Sequence, residues 1–438
     1  MGPKNVTVGS AASSAASPIR TNDPHSTPPE PGPDEKLIAR MLRRVTKARG
    51  VEATRPVPGV VLSRADLIAR VKEHVAKEVP PESIRNEGLV LQLFGFIPTS
   101  FDYEKAEFAL LEAQLAGYYE PADGTMYLAG DLQEADAEAT LAHELVHALQ
   151  DQKWDLKARS KYRRGESDLS TAVSALAEGD ATSAMFDVMF AKAGRTALDV
   201  PDELYAEQIR GSMLTGATAT APQIMRSSLG APYIYGTVFV HTMRRRGGWR
   251  EVNRAWDDPP TTSEQILHVD KYDAREKPLG VAAPKADTLG AGWRSVDDDV
   301  FGELGVRISF EEWMPPEDAA EAAAGWGGDR GALFKNGDLV AFAWRLRYDD
   351  GAPQVDAFAR RAFTMARAGV SKKLGAAKTS EPTFVCFDRG DRGPLAIARF
   401  GKDLVFVAGP ANAATATWKS TGSCALAKAW VAEIAKGR

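Results

Sequence analysis

The sequence predicts an α+β protein in two parts: a mostly helical region with a short β-hairpin over residues 36–280, then a small α+β unit over 281–438. Three observations carry this. Helix start and stop signals punctuate most of the first part. Alternating, strand-like patterning takes over beyond about residue 330. Residues 1–35 are rich in Pro, Ser and Ala with no apolar pattern, so they form no core and read as a disordered leader.

The elements follow in order. Residues 36–116 read as helices: one opened by Pro33-Asp34-Glu35-Lys36, one starting at Ser63-Arg64, one after Pro80-Pro81, and one from Asp102 to Leu115. Gly117–Glu120 and Thr125–Leu128, joined by Pro121-Ala122-Asp123-Gly124, read as a β-hairpin. It is either an ordinary hairpin or an edge on which an extended peptide pairs. A helix-forming run spans Ala139–Gln150. Asp168 caps a long helix to about Ala193, Pro232 begins another that ends at Gly247-Gly248, and Ser263 caps a short one. Residues 325–330, Gly-Trp-Gly-Gly-Asp-Arg, read as a tight turn. A strand at Leu339–Tyr348, a helix at Val355–Ala368, three further strands and a helix at Cys424–Ala435 complete the chain.

Bulk properties exclude several classes. A formal charge of −5 over 438 residues gives no basis for a nucleic-acid partner. No run of 18 or more apolar residues exists to span a membrane. The leader lacks the apolar centre of a signal peptide, which places the chain as written in the cytoplasm. It also resembles the tether left after removal of a signal or lipid anchor, which would place a longer form in the envelope or outside. Cys386 and Cys424 are the two cysteines, either buried thiols or one disulfide.

The chemistry is concentrated in His143-Glu144-Leu145-Val146-His147. On a helix, residues four apart share a face, so both imidazoles converge on one metal ion with Glu144 beside its open position. The flanking Leu141, Ala142, Leu145, Val146, Ala148 and Leu149 imply a buried helix. Two His and a Glu buried there need a partner, and a metal supplies one. The pattern is that of a zinc hydrolase with Glu144 as general base. Catalytic zinc takes a third protein ligand, for which Glu166, Asp168, Glu178 and Asp180 are candidates. Glu178 is preferred: it lies mid-helix among small residues, Gly179 included, which let its helix approach the metal-bearing one closely enough for the carboxylate to reach the ion. Asp180 faces elsewhere, and Glu166 sits in a polar, Arg-flanked loop.

These residues resemble the gluzincin group of zinc metallopeptidases, whose pattern is His-Glu-x-x-His followed by a Glu on a later helix. The stretch Leu141–Gln152, Ala177-Glu178-Gly179-Asp180-Ala181 and Thr262–His268 are similar to a family of poorly characterised bacterial metallopeptidases. The resemblance implies a zincin-like fold, one Zn2+ per chain on His143, His147 and Glu178, and a peptide or protein substrate. Pro232-Tyr233-Ile234-Tyr235-Gly236 looks like the Pro-Tyr-x-x-Gly helix of the aminopeptidase N-like members. That match gives Tyr233 the role of oxyanion donor, with Tyr235, His241 and His268 as rivals. The amine-binding Gly-x-Met-Glu-Asn motif of those enzymes is absent. Glu120 is the nearest substitute, so an endopeptidase is expected. The competing expectation is a catalytically silent zinc-containing binding or envelope-assembly protein.

Overall fold

The computed structural model describes residues 33–437. Most of the leader, residues 1–32, therefore lies outside the described residues. The first helix opens at Pro33-Asp34-Glu35-Lys36 as expected, so it takes in the last three positions of the leader.

The helices of the first part are α1 (Pro33–Arg49), α2 (Arg64–Glu78), α3 (Pro81–Phe94), α4 (Tyr103–Gln114), α5 (Glu134–Trp154), α6 (Leu156–Ser160), α7 (Ser167–Phe190), α8 (Asp202–Ser212), α9 (Gln223–Gly247), α10 (Trp249–Asp257), α11 (Ser263–Leu267) and α12 (Val269–Ala274). Among them lies a small sheet of β1 (Gly59–Leu62), β2 (Gly117–Glu120) and β3 (Thr125–Ala129), in the order β1-β3-β2. The hairpin forms as expected, Tyr119 opposite Met126. β1 does not follow from the sequence reading, which made residues 36–116 wholly helical. It pairs parallel to β3, and its Val60 and Val61 are both exposed, so it lacks the alternation that marks a half-buried strand.

The second part is built on an antiparallel sheet of β4 (Arg294–Asp299), β5 (Trp326–Asn336), β6 (Leu339–Tyr348), β7 (Thr379–Glu381), β8 (Phe384–Asp388), β9 (Pro394–Phe400), β10 (Asp403–Asn412) and β11 (Lys419–Ser420). The order is β4-β5-β6-β10-β9-β8-β7, with β11 on β10. Helices α13 (Gly302–Glu311), α14 (Pro316–Ala323), α15 (Ala357–Leu374) and α16 (Cys424–Lys436) accompany it. Along β10, Leu404, Phe406 and Ala408 face one apolar cluster, while Val405 and Val407 face another. This is the period of two expected of a strand covered on both faces. Trp430 and Val431 of α16 cover the second face, and the Cys386–Cys424 disulfide ties that helix to β8. On the first face, Leu91 and Phe94 of α3 and Ile224 and Met225 of α9 join Phe310, Phe342, Trp344 and Phe406 in one cluster. The chain thus has an α+β architecture in which residues on both sides of position 280 share a core.

Several local expectations are corrected. Gly327 and Gly328 do not make a tight turn but open β5. A Cβ on Gly328 would stand 2.3 Å from the Leu279 carbonyl oxygen, so glycine permits a close backbone approach. Asp168 does not cap α7: the helix starts at Ser167, whose N–H donates to Asp299 at 3.0 Å, while Asp168 accepts from the Ser263 N–H at 2.8 Å. Thr262, not Ser263, caps α11. Pro232 does not begin α9 but lies inside it. Burial of Ile224 and Met225 in the sheet's core supports the helical turns ahead of the proline.

The helix pair α7–α9 sets the frame of the first part. A Cβ on Gly179 would lie 2.1 Å from the Gly236 carbonyl carbon, and one on Gly236 would lie 1.8 Å from the Ala175 oxygen. The two backbones touch there. The sequence reading linked Gly179 to the approach of the metal-bearing helix; it serves the approach of α9 instead. Leu141, Leu145 and Val146 of α5 fill in against Ala175, Leu176, Phe239 and Val240.

Two outcomes follow for stability. Gly236→Ala should destabilise the fold by about 3 kcal/mol or more, because the helices must separate to admit one methyl. Denaturant unfolding with an unchanged midpoint would contradict that contact. Replacing Cys386 and Cys424 together by Ser should cost up to about 4 kcal/mol from loop-closure entropy, read by the same measurement.

Candidate metal centre

α5 carries His143, Glu144 and His147 on a helix whose Leu141, Ala142, Leu145, Val146, Ala148 and Leu149 are all buried. The spacing of four brings both rings to one face, with their Nε2 atoms 3.2 Å apart. Glu178, from the middle of α7, reaches the same point. Its Oε2 lies 3.0 Å from His143 Nε2 and 3.6 Å from His147 Nε2. The three donor atoms lie within 4.8 Å of one another.

The orientation of His147 is fixed from behind. The Gln150 amide nitrogen donates to the Ala177 carbonyl at 3.0 Å and to Asp180 Oδ2 at 3.2 Å. Its oxygen therefore faces His147 Nδ1, at 2.8 Å, and must accept. Nδ1 carries a ring proton, so in the neutral imidazole the lone pair is on Nε2, toward Glu178 and His143. Asp180 is held by the Arg49 guanidinium and by Trp256 Nε1, the latter at 2.8 Å. Asp180 thus faces away from the centre, as its helical position implies. Of the other two carboxylates weighed as ligands, Glu166 is exposed beside Arg163, and Asp168 accepts from the Ser263 N–H.

Burial disfavours charge on His147, but the Glu178 carboxylate outweighs it and raises the ring to about 9. Burial likewise opposes charge on Glu178, yet the two imidazoles hold it well below the usual carboxylate range. For Glu144, burial wins: its carboxyl is raised despite His147, His143 and the Tyr119 N–H. The centre is short of positive charge. Two imidazole nitrogens and one carboxylate oxygen, converging with a lone pair directed inward, suit a divalent transition-metal ion.

Glu144 Oε2 accepts from the Tyr119 backbone N–H at 2.9 Å. β2 has only β3 as a strand neighbour among the described residues, so its outer edge adjoins the centre. Tyr233 stands over His143 with ring centroids 6.1 Å apart. Glu178's charge and burial keep its hydroxyl proton well above the usual tyrosine range, so it is a neutral donor. The rivals are engaged elsewhere: His241 pairs with Asp202 at 2.6 Å, His268 with Glu303 at 2.9 Å, and Tyr235 lies under Arg307. Glu120 is buried and its Oε1 accepts from the Ala122 N–H of its own turn. A cavity of about 260 Å³ opens beside Glu144, His147, Glu178 and Tyr233.

A second carboxylate cluster, Glu264, Glu276 and Asp349, is closed by the Lys271 ammonium at 2.5, 2.8 and 2.8 Å, and has no need of an added ion. Sequence reasoning did not single out Gln150 or Tyr119. Gln150 was within reach, since it sits three residues after His147 on one helix face; the Tyr119 N–H was not, because backbone partners leave no signature in side-chain type.

Comparison with known proteins adds little to this centre. Residues 288–418 match a family described as a domain of unknown function (DUF8575), a span that excludes every residue of the centre. No protein of curated function is similar to the chain in sequence. A crystal structure from Chloroflexus aurantiacus, named as that of a "putative hydrolase with a novel fold", is similar at 17% identity. That similarity covers 56% of this chain and 91% of the other, with a TM-score of 0.35.

No helix among the described residues is long and apolar enough to cross a membrane. Titration of metal-free protein with Zn2+ is expected to reach one equivalent per chain. Glu178→Ala should abolish tight binding, Gln150→Leu should weaken it 10- to 100-fold, and Glu166→Ala should leave it unchanged. Equal effects of the Glu178 and Glu166 variants would reject the ligand set.

Proposed function

We propose that the chain is a zinc-dependent hydrolase of peptide bonds, an endopeptidase, with His143, His147 and Glu178 holding the ion. The reading rests on one juxtaposition: Glu144, set between the two histidines, is hydrogen-bonded to the backbone of the free-edged strand β2. A base and an edge able to align an extended peptide thus meet at one carboxylate.

Zinc, when bound, supplies Lewis-acid polarisation of water and of the scissile carbonyl. Glu144 takes a proton from the attacking water and delivers it to the leaving amine. Tyr233 donates its hydroxyl proton in a hydrogen bond to the developing oxyanion. With the Tyr119 N–H held by Glu144, the substrate strand would pair with the other outward backbone groups of β2. Glu120, folded into its own turn, provides no anchor for a free amino terminus, which favours internal cleavage. The Cys386–Cys424 disulfide favours an oxidising compartment, so the proposal locates the enzyme outside the cytoplasm.

The test is cleavage of a mixed library of blocked peptides, with and without chelator. Glu144→Gln should retain one Zn2+ and lose cleavage. Tyr233→Phe should retain Zn2+ and lower kcat by about 10²- to 10³-fold with little change in KM. Zinc-loaded wild-type protein that cleaves nothing would leave a binding protein as the correct reading.

A further inference from the structure

The cavity beside the metal centre continues away from it between α2, α3 and α4. Its walls there are apolar: Val75 of α2 and Val79 just after it, Ile84 of α3, and Phe108 and Leu111 of α4. Two carboxyl groups stand among them, Glu87 and Glu107. Such acids are costly in an apolar recess unless something pairs with them.

Glu107 is the one left short of a partner. Tyr103 is buried, and its hydroxyl is hydrogen-bonded to both Glu107 and Glu87. Glu107 also has an oxygen, Oε1, sealed from solvent and without a hydrogen-bond partner. Burial pushes the Glu107 carboxyl up to about 7, even though Tyr103 donates to it. The arrangement is built rather than incidental: Tyr103 sits against α3 only because residue 88 is glycine, where a Cβ would lie 2.8 Å from Tyr103 Cβ.

An apolar sleeve ending in an acid fits a group with an alkyl stem and a cationic end. We propose that this recess is a specificity subsite for a lysine or arginine side chain next to the cleaved bond, with Glu107 as its main counter-charge. The proposal deepens the peptidase reading and rests on it for the identity of the ligand as a peptide. A guanidinium or ammonium donor would satisfy the unpartnered Glu107 oxygen, and a guanidinium's five donors give it the wider reach. A free α-amine has no stem to fill the sleeve.

The experiment uses the full chain carrying Glu144→Gln and loaded with Zn2+, so that bound peptide stays intact. Calorimetry compares an N-acetylated, C-amidated pentapeptide of alanines with a central arginine against the same peptide with citrulline, which keeps the shape and loses the charge. The arginine peptide is expected to bind at least about tenfold more tightly, and adding Glu107→Gln should erase the difference. Equal or undetectable binding of the two peptides overturns the proposal and needs no second variant. Survival of the preference in the Glu107→Gln protein overturns it also, as does equal binding by an unblocked peptide of alanines alone. The two readings fail separately. Arginine-selective binding by a wild-type protein that cleaves nothing keeps the subsite and ends the peptidase reading. Cleavage with no preference for arginine or lysine does the reverse.

Discussion

The centre depends on the contact between two helix backbones at Gly179 and Gly236. No side chain separates them, so α7 and α9 are fixed at the shortest approach that helices allow. Glu178 precedes one glycine by a residue, and Tyr233 precedes the other by three, about one helical turn. A single steric fact therefore sets the spacing of a carboxylate and a phenol contributed by separate helices. The Tyr233 hydroxyl and the Glu178 carboxylate are also hydrogen-bonded to each other across that spacing.

The third helix, α5, is tied to this pair by polar bonds in addition to its apolar packing. Gln150 joins His147 to the Ala177 carbonyl and to Asp180. Asp180 is joined in turn to Arg49 of α1 and Trp256 of α10. Every member is buried, so each lost bond leaves a desolvated polar atom behind, and the network resists small displacements. Rotating the His147 ring would break a chain that extends across four helices. The His147 ring is thus oriented by the protein's own bonds, as a precise site requires.

What could be read from the chain, and what could not, divides by distance along it. The pairing of His143 with His147 is a matter of one helical turn, and it was legible. So was the hairpin, whose turn residues are contiguous. Glu178 was found through its small neighbours, although Gly179 turned out to pack on α9 and not on α5. The start of α7 was misread because its N–H partner, Asp299, lies 132 positions away. β1 was missed because a four-residue strand with two exposed valines has no periodicity to detect. The length of α9 escaped because its support comes from the apolar core of the distant sheet, which outweighs the cost of an internal proline.

Lys271 shows how narrowly ion chemistry can be contained. Its ammonium draws Glu264, Glu276 and Asp349 together, three carboxylates from separate segments, much as a divalent ion would. The difference is that this cation is tethered to the chain and cannot be chelated away. It joins the end of the helical part to the segment after β6, so the two parts are cross-linked by charge where no covalent bond runs. One substitution of that lysine would convert a self-contained cluster into three buried or half-buried acids in search of a counter-ion. Metal stoichiometry in such a variant would then report on an engineered hole rather than on the centre at His143.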